Sequence, residues 1–436
     1  MFEKLGHRKY AIPFVAPFLI ICLFALMFFP MANMQMKDVP VAVVNLDSAV
    51  ELPDGDKVNV GSEIAEALES GEGLSFAKGE DEGEAADSEA SDSDVTGVSD
   101  DALSWTVITD EATFEEAKAN NEYFAYLVIP EGFTLTQVAG KISDQMDALT
   151  ASNANTAAMM ANPAAAAAMA EKAQAMQKIL DDAEDVGDVT LSVQIDKAKS
   201  PMAANQLKSV FSLVMAKAGF DADVVMVNDG GYDDSDSSAF ANMMVLQLSL
   251  LPAVIGSLIA AILLSRIFNR RNTETKRECA QALGKQIGMS VVSSLIVAAT
   301  AWAAVWVVAG LQMPAATTIP FLWLASFCMI LLLGGFFNLS LPLGVLVAVC
   351  ILGFGNMTGV LPAQMLPEFW AQWVCPWAPQ AYMGEGIRMI TYMGAGIFNS
   401  ATPAMLVYGA IGLVLYALSW VAGSFAKSSK EEQRAS

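Results

Sequence analysis

Between residues 286 and 367 the chain runs for 82 residues without a single Asp, Glu, Lys, Arg or His. A water-soluble domain cannot hide that much uncharged chain, because its surface must be solvated. A lipid bilayer favours it. At about 20 residues per crossing, a run of this length with short turns holds three spans. That odd number decides which of the flanking loops share a side of the membrane.

Only 16% of the residues are charged and 54% are hydrophobic, against roughly 25% charged in an average soluble chain. The net charge is nevertheless −23. The two facts separate along the sequence. Residues 33–241 hold 40 of the 47 acidic residues and 11 of the 24 basic ones, so this segment carries −29 and the remainder +6. An acidic, water-exposed domain is thus inserted into a mildly basic membrane protein.

Further charge-free runs at 10–32, 242–265 and 403–426 add three crossings to those near 287–309, 319–337 and 341–361. The expected fold is an α-helical polytopic membrane protein with six transmembrane helices. Lys and Arg stay on the cytoplasmic side. Lys4, Arg8 and Lys9 precede the first span; Arg266, Arg270, Arg271, Lys276, Arg277 and Lys285 follow the second; Lys427, Lys430 and Arg434 sit in the 427–436 tail. All three groups fall on one side if both termini are cytoplasmic and 33–241 forms a large extracytoplasmic α/β domain. The first apolar run exceeds the usual signal-peptide core of about 7–15 residues and no A-x-A site follows it, which predicts a signal anchor.

Within the outer domain, 39–46 (VPVAVVNL), 105–108, 123–129, 189–195 and 224–227 read as short strands, rich in Val, Ile and aromatic residues. Helices are expected at 61–70, at 110–120 with Thr109 as its cap, and from Pro201 to about 219. An Ala- and Met-rich pair over 134–185 should break at Asn162-Pro163, Asn capping and Pro starting the second helix. Strands alternating with helices predict an α/β domain. Residues 77–101 are dominated by Asp, Glu, Ser, Gly and Ala, which predicts a disordered, self-repelling surface loop. Calcium would need ligands at defined spacing around a Gly turn, and the run lacks that pattern. The five methionines Met146, Met159, Met160, Met169 and Met176 read either as a soft-metal or adaptable binding surface or, as is commoner in Ala-rich helices, as packing residues. None of the five cysteines falls in this domain, so disulfides are not expected to stabilise it.

The search for reaction chemistry is mostly negative. One histidine, His7, is present, which excludes His-based catalysis and His metal sites. The nearest string to a phosphate-binding loop, Leu283-Gly284-Lys285-Gln286, lacks the first Gly and the Ser/Thr that would contact Mg²⁺. No enzyme activity, cofactor, bound metal or nucleic-acid partner is expected. The spans carry no charged side chain to bind a coupling ion, so energy for transport would have to come from another polypeptide.

Two segments are more elaborate than anchoring requires. The loop of 266–286 (RIFNRRNTETKRECAQALGKQ) reads either as a positive-inside anchor or as a short helix lying along the membrane and offered to a cytoplasmic protein. The outer segment of 362–402 is aromatic and broken by Pro362, Pro367, Pro376 and Pro379. Such proline density forbids one continuous helix and predicts a re-entrant or half-inserted pair. Trp370, Trp373 and Trp377 suit the membrane–water interface, and Glu385 and Arg388 are spaced to pair on one helical face. The segment reads either as an interfacial lid or as a gate.

The string NMTGVLPAQMLPEFWAQWVCPWAPQAYMGEGIRMI resembles the segment before the last helix of ABC type-2 transporter permeases, through Gly359, Pro362, Pro367, Trp370, Pro379, Tyr382 and Arg388. The outer domain is similar to the phage-infection-protein (YhgE/Pip) branch of that superfamily. The pieces are VPVAVVNLDSAVELPDGDKVNVGSEIAEAL, WTVITDEA, YFAYLVIPEGFT and AKSPMAANQL. Many members carry a longer, coiled-coil-rich outer domain; this one is compact.

The resemblance implies an exporter permease of the bacterial plasma membrane. It implies an elbow helix within 1–9, a separate ABC ATPase subunit and a second permease chain. The 266–286 loop, with Arg270, Arg271, Glu274, Lys276, Arg277 and Glu278, becomes the ATPase-coupling element. Pro362, Pro367, Trp370, Pro376, Pro379, Tyr382, Glu385 and Arg388 become the re-entrant gate. A non-transporting membrane scaffold or surface protein, such as a secretion-machine component or phage attachment factor, is the alternative use of the same architecture. The topology has a direct test. Cysteines replacing Ser91 and Ser428 should react with an impermeant maleimide from opposite sides of the membrane; labelling of both from outside would rule out the six-span arrangement.

Overall fold

A computed structural model describes residues 12–34, 36–70, 102–151, 163–187, 189–218, 222–228, 230, 236–311 and 313–435. The elbow segment of 1–9, the acidic loop of 77–101 and Asn162 lie outside the described residues. After helix α1 (Ile12–Ala32) the chain divides into two compact units. One is an α/β unit, Met36–Lys199 with Ala203–Val227; the other is helical and draws chiefly on α1 and on the residues after 227.

The α/β unit is built on β1 (Val39–Asn45), whose residues are almost all buried. A short hairpin, β2 (Val50–Glu51) and β3 (Lys57–Val58), and α2 (Val60–Glu69) lead to β4 (Leu103–Ile108). Then come α3 (Glu111–Ala119), β5 (Ala125–Ile129), α4 (Phe133–Ala151) and α5 (Pro163–Val186). The unit closes with β6 (Leu191–Asp196), α6 (Pro201–Ala218) and β7 (Ala222–Val227).

The five-stranded sheet has the order β4-β1-β5-β6-β7. Strands β4 and β5 lie parallel to β1, with Val41 opposite both Trp105 and Ala125. Strand β6 runs antiparallel to β5, and β7 parallel to β6. Strands β1 and β5 are buried along their length because both faces of the sheet are covered, which is why they read as unbroken apolar runs rather than alternating ones. On one face, Ala42, Val44, Tyr126 and Val128 pack against Ile108, Phe114 and Ala117.

Two local features differ from expectation. Helix α3 is capped by Asp110, not Thr109: the Asp110 carboxylate accepts the backbone N–H and the hydroxyl of Thr113, each at 3.0 Å. An ionised acceptor at the positive helix end is the stronger cap, and these bonds hold its carboxyl below the usual value. Helices α4 and α5 pair through Val138, Ala139, Ile142 and Ile179, with Met176 packed against the seam. Met176 is therefore a packing residue; the side chains of Met146, Met159, Met160 and Met169 lie outside the described residues.

The helical unit contains α7 (Asp236–Ile267), α8 (Lys276–Ala309), α9 (Ala315–Leu339), α10 (Leu341–Gly355), α11 (Pro379–Met393) and α12 (Thr402–Ala435). Among the described residues four helices, α7, α8, α9 and α12, are long and apolar enough to cross a membrane. The run expected to span 341–361 stops at Gly355 after 15 residues, short of the ~20 of a full crossing. The chain turns there instead, Thr358 N donating to the Gly355 carbonyl and Leu361 N to that of Met357.

Helix α9 is central: most of its apolar length is buried, whereas the other three long helices are mostly exposed within the unit. Helix α12 approaches it through glycine. A Cβ on Gly412 would lie 2.6 Å from the Leu331 and Leu332 backbone, and one on Gly335 would lie 2.6 Å from Leu415 Cβ. Helices held in lipid gain their stability from such close backbone packing.

The buried α/β sheet makes a quantitative prediction. Leu127, fully buried on β5, should lose about 2–5 kcal/mol of local stability on Leu127→Ala. Val225→Ala, at a position 40% exposed, should stay within about 0.5 kcal/mol. Hydrogen exchange of the β1 and β5 amides in detergent-solubilised protein separates the two. Equal protection in both variants would contradict the packing described.

Candidate functional site

Two places in the helical unit carry the residues that the sequence singled out. The first is the link between α7 and α8. Asn269 caps a single 3₁₀ turn, Arg270–Asn272, by accepting Arg271 N at 3.0 Å. Thr275 and Glu278 then form a reciprocal capping box. Glu278 N donates to the Thr275 hydroxyl at 3.1 Å, and the Glu278 carboxylate accepts the backbone N–H of Glu274 at 2.9 Å. From Lys276 the chain is one helix to Ala309. The separate helix expected to lie along the membrane within 266–286 is therefore absent. A strong start signal at Thr275 and no proline before Pro314 let the third apolar run and the basic segment share one helix.

The six link residues divide by role. Arg271, Glu274, Lys276 and Arg277 are exposed. Glu278 is engaged in the cap. Arg270 turns inward: its Nε donates to the Asn338 carbonyl at 2.9 Å and its Nη1 to the Ser419 carbonyl at 2.7 Å. Burial and the neighbouring Arg271 lower its pKa from the ordinary value, yet an arginine remains charged. Behind it, Gln286 and Asn338 exchange amide hydrogen bonds at 3.2 and 2.6 Å, and Gln286 also donates to the Phe268 carbonyl at 2.7 Å.

The second place is the broken segment between α10 and α12. Pro362 caps a 3₁₀ turn, Ala363–Met365, and the Pro367 carbonyl accepts Trp370 N at 2.8 Å. A π-helical turn, Trp370–Val374, follows. Pro379 opens α11, where its missing N–H costs nothing. The Pro376 carbonyl accepts the Tyr382 hydroxyl at 3.0 Å. The expected pair of half-inserted helices is thus one regular helix preceded by two short irregular turns.

Two further expectations are corrected. Trp370 is buried, not interfacial: its Nε1 donates to the Phe354 carbonyl at 3.1 Å and it packs with Met357, Leu361, Leu366 and Val374. Trp373 and Trp377 remain exposed. Glu385 and Arg388 form no direct ion pair. Glu385 accepts the Ser400 hydroxyl at 2.6 Å, while Arg388 Nη1 reaches the Gly359 carbonyl at 3.1 Å. That carbonyl also sits where a Cβ on Gly384 would be, so α11 and the 356–361 turn touch backbone to backbone.

Three buried amides, Gln286, Asn338 and Gln380, escaped the sequence reading. Gln380 donates to the Ile351 carbonyl at 2.7 Å. The available signal was an isolated Asn or Gln within an otherwise apolar run, since an amide in that setting needs a partner. Beside Gln380, α9, α10 and α12 border a half-open apolar pocket of about 430 Å³ lined by Leu332, Phe336, Cys350, Ile351, Trp377 and Tyr408, among others. The Tyr408 hydroxyl is satisfied by the Trp377 carbonyl at 2.9 Å. Among the described residues no group of three or more His, Cys, Asp or Glu could hold a metal ion.

The sequence profile described as ABC-2 family transporter protein matches residues 10–421. The chain belongs to the ABC-2 transporter family. No curated protein and no solved structure gives a significant match. With its long apolar helices, membership of this family makes it a multi-pass membrane protein of the ABC transporter permease type. Within this permease the broken segment is held by backbone contact, and that can be tested. Gly384→Ala should force α11 off the 356–361 turn and sharply reduce folded yield. Gly396→Ala, with open space around it, should change stability by no more than about 0.5 kcal/mol. Matching monodispersity of the two variants in detergent size-exclusion chromatography would contradict the contact.

Proposed function

We propose that the chain is the membrane subunit of an ABC exporter driven by a separate ATPase, of the phage-infection-protein (YhgE/Pip) branch. The observation that carries this reading is the link. Arg271, Glu274, Lys276 and Arg277 stand exposed at the start of a helix that continues without interruption into the helical unit. A partner that displaces the link displaces α8 with it. In this reading α1, and α10 together with the 356–361 turn that follows it, complete six crossings, and both termini are cytoplasmic. The α/β unit lies outside the bacterial plasma membrane, and two permease chains with two ATPase subunits form the working assembly. The charge-free spans fit an energy source outside the chain, because they offer nothing to bind a coupling ion.

Affinity purification from native membranes in mild detergent should retain an ATP-hydrolysing subunit. A single exposed charge is worth about 0–1 kcal/mol, so the informative variant reverses three together: Arg271→Glu, Lys276→Glu and Arg277→Glu. The triple variant should insert normally and lose the ATPase. Full retention of the ATPase would remove the link from the docking surface. Copurification of only a partner that binds the α/β unit would favour the scaffold alternative.

A further inference from the structure

The proposed ATPase docking explains the exposed charges of the link but leaves Arg270, the one link arginine that turns inward, without a part. Resting on that proposal, we infer that Arg270 is the positioning residue that passes movement of the link to α9 and α12. The carbonyls it binds belong to the backbone of other helices, Asn338 at the end of α9 and Ser419 within α12. The Asn338 carbonyl lies in the last turn of α9, where carbonyls lack intrahelical partners and the helix end is negative. A guanidinium suits that position, and its planar fork can serve two acceptors at once where an ammonium serves them less well.

Three independent features converge on the same tie. Gln286 joins the Phe268 carbonyl, on the other side of the 3₁₀ turn, to the Asn338 side chain, so the link is held to α9 at two points. The buried Tyr416 of α12 packs its hydroxyl against Gly334, whose carbonyl accepts the Asn338 side-chain amide at 2.9 Å. Gly423 leaves the space the guanidinium uses, since a Cβ there would lie 2.8 Å from Arg270 Nη1. Bonds to backbone carbonyls direct the load onto the helices themselves rather than onto side chains that could rotate away. A link displaced by a partner therefore draws the end of α9 and the middle of α12 along with α8.

The test uses the complete complex in nanodiscs, with the five native cysteines replaced and Phe398→Cys as reporter. Phe398 is 82% exposed and precedes α12 at the end far from Ser419. Wild type should show a maleimide reaction rate at this cysteine that changes when ATP is added. Arg270→Gln should keep the ATPase on the complex and lose that nucleotide-dependent change, and Arg270→Lys should restore part of it. Gly423→Ala, which crowds the guanidinium without removing its charge, should diminish the change and stands in if Arg270→Gln fails to fold. An unaltered nucleotide response in Arg270→Gln or Gly423→Ala, with the ATPase still bound, would overturn the transmission role and leave the exporter reading standing. Absence of any ATPase on the wild-type complex would overturn both.

Discussion

Inside a bilayer, apolar side chains gain nothing by leaving lipid for one another, so helices are held by how closely their backbones approach. The contact between α9 and α12 is where this constraint governs the helical unit. Gly335 and Gly412 remove the side chains that would separate the two helices, and the neighbouring backbone occupies the vacated space. Once α12 lies against α9, the Ser419 and Asn338 carbonyls come within reach of one guanidinium. The Arg270 tie depends on that crossing.

The same economy of polar groups explains why the amides matter more than their number suggests. Gln286, Asn338 and Gln380 sit among apolar residues where an unmade hydrogen bond costs about 1–3 kcal/mol. Each therefore fixes a geometry: Gln286 and Asn338 the pairing of α8 with α9, Gln380 the join of α11 to α10. The exposed charges of the link are different in kind. They are solvated, contribute little to stability, and are free to be used by a partner.

The α/β unit was legible in the sequence almost strand by strand, because β1 and β5 are buried on both faces and so carry unmistakable Val- and Ile-rich runs. Its pairing order was not, since register and neighbours follow from long-range packing that no local pattern encodes. In the helical unit, apolar length located the long helices. It overran α10, because the residues after Gly355 carry no charge either and the tertiary turn stops the helix. Trp370 was misplaced for a similar reason: aromatic composition suits both an interface and a core, and burial against Phe354 decides between them. Glu385 and Arg388 have the right spacing to pair, but Ser400 and the Gly359 carbonyl offer each a partner brought near by α12 and by the preceding turn. Arg270 was read as a docking charge because sequence spacing cannot tell which basic residue of six faces inward.

The division between a rigid α9–α12 pair and the irregular chain of 356–378 bears on how such a subunit could work. A 3₁₀ turn and a π turn are spaced by prolines, so this backbone lacks the continuous hydrogen-bond ladder that makes a helix move as a rod. Its order comes from Trp370 and from the Gly359–Gly384 contact, both of which are packing interactions rather than backbone pairing. Displacing α11 relative to α10 would break those contacts without unwinding any long helix. The cost of such a change falls on a few local contacts, whereas separating α9 from α12 would expose backbone along the whole glycine seam. Movement within the unit is thus cheapest at the broken segment, while the α9–α12 pair is the element able to carry a displacement as one body.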